Sequence, residues 1–186
     1  MASFQPDKRY TYSDYLSWDD GVRYELIDGI PYMLAAPSQA HQAISAELTF
    51  QFVSFLKGKP CKVFAAPFDV RLNARDGDDT VVQPDLLVVC EMSKLDGKAC
   101  VGAPDMVVEI MSPSSSRQDK MVKLNLYKKA GVREYWIVDG DTQTVQVCIL
   151  KDGEYIVRAY ADTVPVHIWE GFSINLADVF AEVAAE

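Results

Sequence analysis

Two acidic residues interrupt otherwise apolar, strand-like runs: Asp85 within Val81-Val-Gln-Pro-Asp-Leu-Leu-Val-Val-Cys90, and Glu109 within Met106-Val-Val-Glu-Ile-Met111. A carboxylate set mid-strand among β-branched and apolar neighbours is costly to desolvate unless a cation or hydrogen-bond donor compensates it. Two such intrusions on successive core strands point to a shared partner. A hard divalent ion is the economical candidate, because Mg²⁺ is typically held by one or two carboxylates together with waters and phosphates. The chemistry this pattern could support is metal-dependent hydrolysis of a phosphodiester.

Other residues could join that site. Glu25, in Tyr24-Glu-Leu-Ile-Asp-Gly29, is a third acid among apolar strand residues. It either completes a metal site or faces solvent on a hairpin. Asp69 is a weaker candidate, since Arg71 two residues on shares its face and could pair with it. His41 shares a helical face with Ile44, Ser45, Leu48, Phe52, Phe55 and Leu56, while Glu47 lies off that face. A histidine so placed is either a hydrogen-bonded core residue or a base or phosphate contact suited to neutral pH. In a second helix Asp119, Val122, Lys123, Leu126, Tyr127 and Ala130 form the inward stripe, and Lys120 and Lys128 fall outside it. Lys123 thus needs an anion, either a site carboxylate or Asp119 one turn earlier. Ser112-Pro-Ser-Ser-Ser116 is either an anion nest or an ordinary helix start.

The elements that must position these residues are legible as a series. Ser13 is a candidate cap for a short helix over 14–18, within an irregular first 20 residues. Arg23–Leu34 reads as a hairpin turning at Asp28-Gly29. Ser38 caps a long helix running to about Lys57, ended by Gly58 and Pro60. Strands follow at 62–72, 81–90 and 105–111, then a helix over about 118–130 closed by Gly131 and a strand over 133–139. A β-meander over about 141–172 and a short helix over 175–184 complete the chain, with Asp152-Gly153 as one tight turn. The crossover helix between two apolar strands requires a parallel pair. The pattern predicts one α/β domain over 1–186, a mixed sheet with helices packed on it and its core over about 20–140.

Composition sets limits on partners. The chain carries 27 Asp and Glu against 18 Lys and Arg, a net charge of −9. That counts against broad non-specific adhesion to nucleic acid, which relies on a cationic surplus, but excludes neither a local basic groove nor a metal site that cancels negative charge. No apolar run approaches the roughly 18 residues of a membrane span, and the first ten residues have no apolar core resembling a secretory signal. Cys61, Cys90, Cys100 and Cys148 form no CxxC pair, so buried free thiols in a reducing cytoplasm are the expectation.

Pro84-Asp85 followed by Glu109-Ile-Met111, in this order of elements, resembles the PD-(D/E)xK nuclease superfamily. There the Asp and Glu bind metal and a Lys two residues after the Glu assists the attacking water; here Met111 stands in place of that Lys. Further matches narrow the resemblance. Tyr24-Glu-Leu-Ile-Asp-Gly29, Ser38 with His41, Gln83-Pro-Asp-Leu-Leu-Val-Val89, Val107-Val-Glu-Ile-Met-Ser-Pro-Ser114, Asp119 with Lys123 and Tyr127, and Gly131-Val-Arg-Glu-Tyr-Trp-Ile-Val-Asp139 together resemble the Uma family of restriction endonucleases over roughly residues 10–170. The resemblance implies a restriction-endonuclease-like core of helix, three strands, helix and strand. It implies Asp85 and Glu109 as ligands to Mg²⁺ or Mn²⁺, the missing Lys displaced onto the helix as Lys123, and Glu25 and His41 as accessory site residues. It further implies nucleic acid as substrate and a homodimer, for which the meander faces bearing Tyr155, Tyr160 and Trp169 are candidate surfaces. The alternatives are a catalytically inactive nucleic-acid or protein-binding module on the same fold, which Met111 and the acidic balance favour, and a small-nucleotide phosphodiesterase.

Overall fold

Asp28 and Gly29 both take positive φ, 48° and 75°, and fold the surrounding residues into the expected hairpin. The computed structural model describes residues 4–112 and 117–183, without the side chains of 117–119. Its first helix, α1 (Tyr12–Tyr15), starts two residues earlier than expected: Thr11 is the cap, joined to Asp14 in a capping box, and Ser13 lies inside the helix. The hairpin comprises β1 (Tyr24–Ile27) and β2 (Ile30–Met33). Ser38 caps α2 (Gln39–Leu56), its Oγ accepting from the His41 backbone N–H at 3.2 Å.

The two strand-like runs at 62–72 and 81–90 are each divided in two. The first becomes β3 (Lys62–Ala65) and β4 (Asp69–Arg71), and the second β5 (Val81–Val82) and β6 (Leu86–Val89). Pro67 and Pro84 stand at the breaks, where a residue without an N–H cannot continue a ladder. Beyond these come β7 (Ala99–Val101), which no sequence pattern marked, β8 (Met106–Ile110), α3 (Arg117–Ala130) and β9 (Glu134–Asp139). The chain ends with β10 (Thr144–Lys151), β11 (Glu154–Tyr160), β12 (Thr163–Pro165), β13 (Ser173–Asn175) and α4 (Leu176–Val179).

The mixed α/β class is as expected, but the strands form two main sheets. One has the order β2-β1-β5-β4-β7 and the other β11-β10-β9-β8-β6-β3. The anticipated parallel pair is β8 with β9, joined through α3. Of the C-terminal meander, only β9, β10 and β11 form consecutive antiparallel ladders; β12 pairs with β13 as a separate ribbon.

The six-stranded sheet is apolar on both faces. On one side Ile44, Leu48, Phe52 and Leu56 of α2 pack with Leu86, Val88, Met106, Val108 and Trp136. On the other, Leu87, Val89, Val107 and Tyr135 pack with Tyr127 of α3 and with Val70 and Val82 of the five-stranded sheet. That second interface brings α3 and both sheets together.

Two surface expectations change. Tyr155, Tyr160 and Trp169 pack against these clusters and do not form an exposed face; on β11 it is Ile156 and Val157 that stand exposed. Cys61 and Cys90 are not free thiols but form a disulfide. They sit one step beyond the Lys62↔Val89 pair of β3 and β6, so the antiparallel register sets them side by side. Cys100 and Cys148 are free and buried as expected.

A fully buried carboxylate secures the sheet to the C-terminal segment. Glu134 accepts from Trp136 Nε1 at 2.7 Å and from the backbone N–H groups of His167 and Ile168 at 2.9 and 3.0 Å. Replacing Glu134 with Ala should strand these donors and lower the unfolding free energy by about 3 kcal/mol, read as a shifted urea midpoint at unchanged m-value.

Candidate active site

The register of β6 against β8 sets the geometry. Leu86 pairs with Val108, so one step further Asp85 and Glu109 lie beside each other at the ends of adjacent antiparallel strands. Asp85 is fixed through one oxygen: Oδ2 accepts from the Ile110 backbone N–H at 2.7 Å and lies 3.1 Å from His41 Nε2. Glu25 arrives from the other sheet, buried, with the Gln83 backbone N–H donating to Oε1 at 2.9 Å.

Lys123 of α3 closes the arrangement. Its Nζ donates to Glu25 Oε1 at 2.7 Å and to Glu109 Oε1 at 2.8 Å. Tyr127, one helical turn later and fully buried, donates its phenol hydroxyl to the same Glu109 oxygen. Glu25, His41, Asp85, Glu109 and Lys123 thus gather in one place: His41 contacts Asp85, Lys123 contacts Glu25 and Glu109, and the two sets lie side by side where Asp85 neighbours Glu109. Of the two readings of Glu25, the hairpin residue facing solvent is ruled out. His41 likewise sits at that place, on the turn that Ser38 caps.

Some sequence expectations fail here. Val122 was expected on the inward stripe but is 38% exposed. Arg71 does not pair with Asp69. It binds Asp78 and Asp96, while Asp69 accepts from Tyr12, Tyr15 and Gln83. The supposed Asp119 partner of Lys123 and the Ser-rich turn at 113–116 lie outside the described side chains. Met111 packs on the apolar cluster shared by α3 and the two sheets. Tyr127 is the contact that sequence reading placed on the right face without a role; its signal was the four-residue spacing from Lys123.

Electrostatics follow from the crowding. Burial pulls the Lys123 ammonium down, but Glu109 and Glu25 more than offset this and hold it above the ordinary lysine value. Burial pushes the Glu109 carboxyl up to about 7; Asp85 and Glu25 add to the rise and Lys123 opposes it. The hydrogen bond to Asp85 raises His41 against the effect of burial. Burial, then the neighbouring Glu109 charge, keeps Tyr127 protonated.

Among the described residues no three His, Cys, Asp or Glu side chains are placed to hold a metal between them. The donors nevertheless suit a hard ion that takes few protein ligands. Among the described residues the contacts engage Asp85 Oδ2 and Glu109 Oε1 and none reaches Asp85 Oδ1 or Glu109 Oε2, the oxygens that would face an ion completed by water and phosphate oxygens. His41 Nδ1 is buried with no partner among the described residues, so that ring keeps one nitrogen uncommitted.

Two mixed sheets bearing a cluster of acids around a helix-borne lysine define a nuclease-like α/β architecture. A crystal structure from Anabaena variabilis, titled as a putative nuclease belonging to DUF820, has that fold: the TM-score is 0.76 at 22% identity, covering 92% of this chain and 97% of that one. A family model described as Uma2, "Putative restriction endonuclease", matches residues 12–177, and the chain belongs to that family. A relative from Synechocystis, named Uncharacterized protein slr1290, is 24% identical over 159 residues, covering 83% of this chain and 82% of its own.

The raised Glu109 carboxyl has a signed consequence in metal-free protein. The folded state holds this proton more tightly than the unfolded chain, so Glu109 contributes most stability below the ordinary glutamate pKa of about 4.5 and loses it as pH rises to about 7. Denaturant titrations across that window should show the wild type losing stability relative to Glu109→Gln. A difference that stays flat with pH would contradict this.

Proposed function

We propose that this chain is a metal-dependent nuclease that hydrolyses phosphodiester bonds in nucleic acid, with Asp85 and Glu109 holding Mg²⁺ or Mn²⁺. The observation that carries the reading is the contact of Lys123 Nζ with Glu109, 2.8 Å, beside Asp85 on the neighbouring strand. It supplies from α3 the cation that position 111 lacks. The family match and the shared fold support the same activity.

A divalent ion bound here supplies Lewis-acid polarisation of the phosphate and activation of water. The chain's own groups do the rest. Lys123, held as an ammonium, stabilises negative charge growing on the phosphate oxygens and orients the attacking water. The Ile110 N–H and His41 fix the Asp85 carboxylate through Oδ2, and Tyr127 fixes Glu109 through Oε1. His41 acts as an accessory residue of the site, its Nε2 anchored on Asp85. Glu25 holds Lys123 through a second contact to the same ammonium.

Incubation with plasmid, oligonucleotides and small nucleotides, with and without Mn²⁺, tests the reading and identifies the substrate class. The wild type should cleave only with metal. Asp85→Asn and Lys123→Met, each checked for folding by circular dichroism, should each lower the rate at least about a hundredfold. Undiminished cleavage by Asp85→Asn would remove that residue from the mechanism. Cation capture requires an ionised Glu109, so Mn²⁺ affinity measured by calorimetry should strengthen as pH rises through about 7.

A further inference from the structure

Arg23 lies just before β1, and the network described above does not use it. Its carbonyl accepts from the Leu34 N–H at 2.9 Å, which continues the hairpin ladder one step beyond the Tyr24↔Met33 pair. The backbone is therefore extended from Arg23 through Glu25, and side chains two apart in an extended strand share a face. Arg23 thus stands on the same side of the sheet as Glu25, the residue that holds Lys123. It is half-buried.

In a chain of net charge −9, cations near acids find partners: Arg71 binds Asp78 and Asp96, Arg133 binds Asp105, and Lys8 binds Asp14. Arg23 has no carboxylate partner among the described residues, although it shares a sheet face with Glu25, which belongs to the acidic cluster described above. A guanidinium without a carboxylate partner among the described residues, on the sheet face that carries Glu25, presents a planar fork of donors matched to the non-bridging oxygens of a phosphate.

We infer that Arg23 is a substrate-binding residue that takes a backbone phosphate of the nucleic-acid strand at the mouth of the site. This rests on the nuclease reading above. It would let an acidic protein hold a polyanion: a guanidinium beside the site offers a local cation in place of a basic surface.

The test is fluorescence anisotropy with labelled duplex DNA, single-stranded DNA and single-stranded RNA. Ca²⁺ serves as the hard ion, gels check that the strands stay intact, and the ligand bound best by wild type is titrated at several salt concentrations. Arg23→Gln should weaken binding about tenfold and lower the slope of log affinity against log salt by about 1, while Arg23→Lys keeps the wild-type slope. A variant weakened only by misfolding would lose affinity without this pairing of slope loss and lysine rescue, and that result overturns the inference. So does Arg23→Gln binding as tightly as wild type. Wild type binding none of the three strands would instead sink the nucleic-acid reading, and the role of Arg23 with it.

Discussion

One ammonium joins carboxylates that belong to different sheets. Glu25 comes from the five-stranded sheet and Glu109 from the six-stranded one, and Lys123 of α3 contacts both within 2.8 Å. A buried ion pair adds little by itself, but removing one member leaves an uncompensated charge. With Asp85 beside Glu109, the acids outnumber the single lysine and the His41 ring. Burial first, and then that crowding of carboxylates, raises the Glu109 carboxyl against the pull of the one ammonium. The contact that docks α3 onto the sheets and the electrostatics that prepare the site are the same feature.

Two chain crossings make that meeting possible. Each of the runs 62–72 and 81–90 begins in one sheet and ends in the other, and each breaks at a proline. The crossings are bonded to one another, for the Ala66 N–H donates to the Asp85 carbonyl at 3.1 Å. The residue before a proline is held extended, so Gln83 continues from β5 with its N–H turned to Glu25. Asp85 then opens β6 next to Glu109. The carboxylates converge because the backbone changes sheets at that point, which a single continuous strand could not accomplish.

What could be read beforehand divides along a physical line. Features set by local chemistry were legible: the Asp28-Gly29 turn, the Ser38 cap, and the parallel crossover through α3. The phase of α3 also singled out Lys123 correctly, because a cation on an inward stripe demands an anion wherever the helix docks. Features set by which segment lies next to which were not legible. The run 81–90 looks uniform in hydropathy, so nothing in it reveals that its halves join different sheets. Cys61 and Cys90 are 29 residues apart, and only the pairing of β3 with β6 makes them neighbours. Arg71 chose Asp78 and Asp96 over Asp69 because tyrosine hydroxyls and Gln83 already occupy Asp69. Val122 misled because the stripe drawn for α3 was wider than the surface it buries. β7, at three residues, is too short to carry a period.

Delivering the lysine from a helix changes what the chain can tolerate between Glu109 and that lysine. On a strand, the spacing from acid to cation is rigid, and inserting one residue flips the cation to the opposite face. A connection leading into a docked helix, by contrast, can in general gain or lose residues while the helix keeps its position. An insertion within α3 ahead of Lys123 would instead rotate the ammonium by about 100° off its stripe. Position 111, relieved of chemistry, can be spent on packing, as Met111 is. The site has thereby exchanged a fixed spacing in sequence for a fixed angular phase, and a search for the compact strand motif would pass over it.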